Sequence, residues 1–291
     1  MAAIDLTRLD RQIDHLAALY HDPAAFQAEL HTIFSFYHRY SHRKQKETIS
    51  KTFMRNYDMP DKVLPHIEAR LKPLSLQHPQ EALALADQLW KDEYYESREL
   101  ATTLVGNLPI SHQEQALAII EGWMQAPLDR AVADAIIVNA SRRIIIEAPA
   151  SWKSLILKLL DSGKVQQQKM GLLSLAAMIP NSHTDELPGF LSIVRDYLVS
   201  PEPAFDKYLQ LVIEALSKKT QQETAYLLRA VISDSHDARI GRRIRHYLEF
   251  FDEPAKSRIL AAIKNQVILP IPQTNKKRPC FCRAFFQVWL L

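Results

Sequence analysis

Residues 108–150 read LPISHQEQALAIIEGWMQAPLDRAVADAIIVNASRRIIIEAPA, and this stretch decides the fold. A proline opens it at Pro109, and apolar residues then recur at three- and four-residue spacing over 111–124 and again over 129–146. The next unit starts at Ala148-Pro149. That spacing is helical, and no stretch of the chain sustains the period-two alternation of a half-buried strand. The same beat extends in both directions. Upstream, His78-Pro79 opens EALALADQLW, with 94–105 as its partner. Downstream, 152–160 pairs with 166–179, 185–198 with 205–216, and 220–232 with 237–251, before Asp252-Glu253-Pro254 opens a last helix at 257–263. The pair starts Pro109, Pro149, Asp185, Thr220 and Pro254 recur about every 34–40 residues, the length of a two-helix repeat. One pair cannot bury both faces of its helices alone, so neighbours must stack into a continuous core. The expectation is an all-α chain: HEAT-like two-helix repeats stacked in a right-handed curved superhelix, its concave side lined by the second helices.

Composition supports this. Only 6 of 291 residues are glycine, too few for many tight hairpins or a phosphate-cradling loop. At 47% hydrophobic and 24% charged, the chain is that of a packed protein and not a disordered one. Before the repeats the pattern predicts a helix over 5–20, then one opened by Asp22-Pro23 with Phe26, Leu30, Phe34 and Tyr37 on its apolar face. A third is expected to begin at Ser41 and carry Ile49 and Phe53, and a fourth to follow Met59-Pro60. The stack thus covers 1–266, with N-terminal helices over 1–76 and helix pairs over 77–266.

Residues 267–291 have three prolines, a basic cluster and the apolar end FFQVWLL, and read as a linker and tail outside the fold. The tail is compatible with docking back on the stack, touching a membrane surface, or a shifted reading frame. Cys280 and Cys282 are too few for a disulfide framework or a metal site and read as reduced thiols. His38 and His42 are four apart but straddle the helix break expected at Ser41 and lack a third ligand, so no metal and no cofactor is expected. The charged N-terminus shows no signal-peptide core, and no run reaches the roughly 18 apolar residues of a membrane span. A cytoplasmic monomer is expected.

One segment carries a resemblance. LADQLWKDEYYESRELATTLV, residues 85–105, resembles the Leu-Trp, acidic/aromatic, Glu-x-x-x-x-Ala signature of the AlkD-type DNA alkylation repair family, through Leu89, Trp90, Glu96 and Ala101. SHRKQKETISKTFMRN, residues 41–56, resembles the segment that precedes that family's repeats. From packing alone, Trp90 and Leu104 read as core and Glu96 as a charge at a helix start. The resemblance implies a stack whose concave face grips duplex DNA and excises cationic N3- or N7-alkylpurines. A carboxylate would stabilise the oxocarbenium, two tryptophans would contact the backbone, and a basic residue would grip phosphate.

At the position of that family's Trp-Asp-x-x-Asp pattern this chain has Leu128-Asp129-Arg130-Ala131-Val132. Asp129 matches the first acid, Leu128 replaces the tryptophan, and Val132 stands where the catalytic carboxylate belongs. Asp134, two residues on, lies roughly 200° around a helix from Val132. The second tryptophan position falls near Leu211, and Lys169 matches the basic one. The catalytic candidates are therefore Asp129 and Asp134. The DNA-binding candidates are Arg43 and Lys46 upstream, and Arg142, Arg143, Lys169, Lys207, Arg239, Arg242 and Arg243 on second helices. With a net charge of +3, local clustering and not overall charge must carry any affinity for a polyanion. Three functions compete: non-specific binding of duplex DNA without catalysis, an active glycosylase with a relocated carboxylate, and a protein-interaction scaffold. If the basic helix faces DNA, replacing Arg242 and Arg243 by alanine should weaken binding alike for all sequences and flatten its salt dependence.

Overall fold

A computed structural model of the chain describes residues 5–41, 52–200, 202–235 and 237–266. Fifteen α-helices follow one another among these residues: α1 (Leu6–Ala18), α2 (Pro23–Ser41), α3 (Val63–Gln77), α4 (Pro79–Trp90), α5 (Tyr95–Gly106), α6 (Gln113–Trp123), α7 (Arg130–Ala135), α8 (Arg142–Glu147), α9 (Pro149–Leu160), α10 (Val165–Met178), α11 (Leu187–Val199), α12 (Asp206–Lys219), α13 (Gln221–Asp234), α14 (Ala238–Arg245) and α15 (Glu253–Asn265). No strand occurs among the described residues, and the one isolated bridge joins Arg55 to Tyr94. The chain is an all-α stack.

The helix starts follow from local chemistry. Asp5 accepts from the Arg8 N–H, Asp22 from those of Ala24 and Ala25, and Asp252 from that of Ala255, each satisfying an orphan donor of the first turn. Pro79 and Pro149 occupy first-turn positions, where a missing N–H costs nothing. The packing arranges helices in two rows. In one, α3 lies against α5, α5 against α7 and the turn that follows it, that turn against α10, α10 against α12, and α12 against the turn Leu248–Phe250. In the other, α2 packs on α4, α6 on α9, α11 on α13, and α13 on α15. One apolar cluster runs from Leu9 to Ile263, so the core is distributed along the stack.

Two local departures from the sequence reading matter. Ser41 does not begin a helix; it is the last residue of α2, and Ile49 lies outside the described residues. Phe53 sits in an extended strap, residues 52–58, and its side chain is fully exposed. The strap is not helical because its polar groups bond across to α5: the Tyr95 N–H donates to the Arg55 carbonyl at 2.9 Å, and the Tyr57 N–H to Glu96 Oε1 at 2.7 Å. Asp58 then turns the chain at φ 44°, a left-handed conformation that a short polar side chain tolerates.

The helix expected over 129–146 is interrupted. α7 and α8 are separated by a π-type turn, Ile136–Ala140, which pushes the Asn139 backbone towards α5. Gly106 is what admits it, since a Cβ there would meet the Asn139 carbonyl oxygen at 2.1 Å. Gly106→Ala is expected to cost about 1–3 kcal/mol, read as a lower denaturant midpoint. Gly122→Ala, with nothing within 4 Å of the new Cβ, serves as control and should be neutral or gain up to about 1 kcal/mol of helix propensity.

Candidate nucleic-acid interface

The signature residues turn out to hold the strap. Glu96 is buried and receives the Tyr57 N–H, while the Tyr57 ring stacks on Tyr94 with centroids 4.3 Å apart. Below that pair, His31 bridges the Tyr57 hydroxyl at 2.7 Å and Asp92 Oδ2 at 2.8 Å, and Gln27 donates to the same carboxylate at 2.9 Å. Trp90 stacks on Trp123, centroids 4.2 Å apart, with the Arg98 guanidinium 5.3 Å above its ring. Leu89 and Ala101 are buried in the core. The motif thus builds a scaffold that fixes the strap across the start of α5.

Burial raises the Glu96 carboxyl above its ordinary value of 4.5, with the Tyr57 N–H opposing the shift. A folded-state value above the unfolded one means that the group's stability contribution is full below the unfolded pKa and is lost as pH rises through the folded one. Glu96→Gln keeps an oxygen for Tyr57 and cannot ionise. Its urea midpoint should therefore fall less than the native protein's as pH is raised from the acid side towards neutral. Glu68, also raised by burial against a hydrogen bond from Thr103, will leave part of that slope in place.

The two candidate acids are both engaged. Asp129 caps α7: its Oδ1 accepts the Ala131 N–H at 2.8 Å, and its Oδ2 accepts the Phe53 N–H at 2.9 Å, tying the strap to the repeat. Asp134 receives Arg130 Nε on both oxygens at 2.9 Å. Val132 is 1% exposed, and Leu128 and Leu211 are partly buried against the core. Phe53, held by Asp129 through its backbone alone, points its ring into solvent.

The basic candidates divide by their partners. Arg143 pairs with Glu147 and donates to the Leu108 carbonyl, and Arg239 pairs with Asp237. Arg243 is turned inward, pairing with Asp206 at 2.8 Å and donating to the carbonyls of Tyr197, Leu198 and Ser200. It ties α14 to the end of α11, a structural task that the pattern of its helix did not reveal. Arg142, Lys169, Lys207 and Arg242 instead make no ion pair or hydrogen bond with any described residue, and they stand on α8, α10, α12 and α14, the second helices of four successive pairs. Arg43 and Lys46 lie outside the described residues.

A cation that the sequence reading missed is Lys72 on α3, which shares with Arg142 a groove of about 370 Å³ that Glu68 and Glu147 also line, together with Thr103, Asn139 and the exposed Val138 and Ile146. Its signal was a lone lysine in the second half of a helix before the regular pairs, which nothing marked out. Among the described residues no helix is long and apolar enough to cross a membrane, and no three His, Cys, Asp or Glu side chains gather as metal ligands would.

Fold and site together define an all-α helical-stack protein that carries a strap-fixing signature and cations without an ion pair on alternate helices from α8 to α14. The chain belongs to the DNA alkylation repair enzyme family, whose sequence model matches residues 39–243, more than half of the chain. No curated protein and no solved structure matches it.

Proposed function

We propose that this chain binds duplex DNA through the row of second helices, by contacts to phosphate, and does not excise a base. The observation that carries this is that Arg142 on α8, Lys169 on α10, Lys207 on α12, and Arg242 and Arg245 on α14 make no ion pair or hydrogen bond among the described residues. Elsewhere in the stack some cations are matched by a carboxylate, as in Arg70 with Asp14, Arg195 with Asp234 and Lys218 with Glu214, and others, such as Arg11 and Lys164, are scattered without one among the described residues. Leaving positive charge uncompensated at regular intervals along one row suits a ligand that is itself a line of negative charge. Membership in a DNA alkylation repair family supplies the polyanion.

The engagement of the acids supports the part of this reading that concerns excision. Cleaving a glycosidic bond needs a carboxylate free to face charge developing on the sugar. Asp129 is engaged through both oxygens by backbone donors, Asp134 lies in a half-exposed pair with Arg130, and the remaining position is a buried valine. On this reading the protein works as a monomer in the cytoplasm, at the nucleoid, without a cofactor.

The test is a salt titration of binding to a short fluorescent duplex, with and without an N-alkylated purine, assayed for free base in the same samples. Four phosphate contacts predict that log K falls with log salt at a slope of about −3.6. A slope near zero would sink the phosphate reading, and release of the alkylated base would overturn the claim about catalysis.

A further inference from the structure

The second-helix row is not the one place where cations lack partners. Between α13 and α15, at the C-terminal end of the other row, lies a cavity of about 530 Å³. Arg229 and Arg258 line it together with Ser233, Ser235, Asn265 and Gln266, and among the described residues no carboxylate does. Arg229 Nε is buried and has no hydrogen-bond partner, and the guanidinium's one recorded contact is the edge of its reach over the exposed Tyr226 ring, 5.8 Å away. Arg258 uses its Nε on the Pro254 carbonyl at 3.1 Å, which fixes the side chain and leaves its terminal nitrogens available. Gln266 donates to the carbonyls of Ser235 and Asp237 at 3.0 and 3.1 Å, bracing one wall.

A buried charged donor without an acceptor is a costly arrangement that proteins rarely keep without a reason. Two guanidiniums, two serines and two carboxamides around a cavity with no acid among its described lining offer only one kind of complement, an anion with several oxygens. The planar fork of arginine matches phosphate in two-point contact.

We propose that this cavity is a binding site for a phosphate group, held between Arg229 and Arg258. The cavity is larger than the anion alone, so the phosphate arrives on a larger molecule, either a small phosphoester or a DNA strand. The site stands apart from the DNA-facing row, and neither depends on the other.

The experiment titrates the full chain with inorganic phosphate, following both calorimetric heat and the unfolding midpoint, beside Arg229→Gln and Arg258→Gln. A parallel arm measures affinity for a short duplex with and without a 5′-phosphate. The expected result is phosphate binding that weakens at least tenfold in each variant. Loss of duplex affinity in the same variants identifies the source as DNA, and unchanged duplex affinity identifies it as a small phosphoester. No phosphate binding at millimolar concentration, or binding undiminished in both variants, overturns the proposal. Arg258 is exposed, so its variant keeps the test decisive should Arg229→Gln fold poorly.

Discussion

Replacing Arg142, Lys169, Lys207 and Arg242 together by glutamine is expected to lower duplex affinity at 0.1 M salt by roughly a thousandfold or more. The reasoning is counterion release. Each phosphate neutralised adds about 0.9 to the slope of log K against log salt, so four contacts account for about 3.6 logarithmic units per decade of salt. The same variant should therefore show a nearly flat salt dependence, and its loss should be alike for all duplex sequences, because phosphates carry no base identity. Stability should change little, since none of the four side chains makes an ion pair or hydrogen bond among the described residues, and the Arg242 charge adds only a minor share to holding Asp237 ionised. Arg239→Gln is the matched control. It removes a charge from the same helix as Arg242, but one already neutralised by Asp237, and should leave the slope within a few tenths of the native one. If the control flattens the slope as much as the fourfold variant does, the distinction between paired and free cations has no bearing on binding. Arg243, by contrast, should reveal itself in stability. Its removal strands Asp206 and three carbonyls at the junction of α11, α12 and α14, so a loss of DNA binding in the Arg242/Arg243 double variant would mix two causes.

That mixture shows where a sequence stops being legible. Periodicity located the helices because burial on one face repeats every turn, and Ile240 and Ile244 are buried as their spacing requires. It also placed cations on the second helices. What it could not see was which cations meet a carboxylate, because the partners are remote: Asp206 lies 37 positions from Arg243, whereas Asp237 lies beside Arg239. Local rules likewise made Glu96 a charge favoured at a helix start, yet its buried carboxylate serves a backbone N–H 39 residues away. The strap was misread for the same reason. A segment such as 52–58 has its hydrogen-bond partners on another element, and no local pattern announces that. Among the site residues, the fate of Asp129 turned on Phe53, 76 positions upstream.

Asp92→Ala should be among the most destabilising single substitutions outside the apolar core, at about 3–5 kcal/mol. The Asp92 side chain is 4% exposed and receives three donors: Gln27 Nε2, the Tyr94 N–H and His31 Nε2. His31 meets Asp92 through Nε2 and the Tyr57 hydroxyl through Nδ1, so one chain of hydrogen bonds links Tyr57, His31 and Asp92. Alanine leaves all three donors facing a void. Removing one partner from such a set costs more than the set contributes, because the desolvated donors remain. Burial opposes the charged form of Asp92, but the bonds from Gln27 and Tyr94 and the charge of His31 outweigh it and hold the carboxyl below its ordinary value. A depressed folded-state value contributes stability that is present above the unfolded pKa and disappears as pH falls through the folded one. The gap between the native protein and Asp92→Ala should accordingly be widest near neutral pH and should narrow in acid, the opposite sense to Glu96. Urea midpoints at several pH values measure both. A cost under about 1 kcal/mol, or a gap that widens on acidification, would show that the carboxylate does not clamp the strap. Because none of the four free cations belongs to this network, the folded variant should keep the native salt slope for DNA, which separates the scaffold built by the signature from the surface proposed to bind.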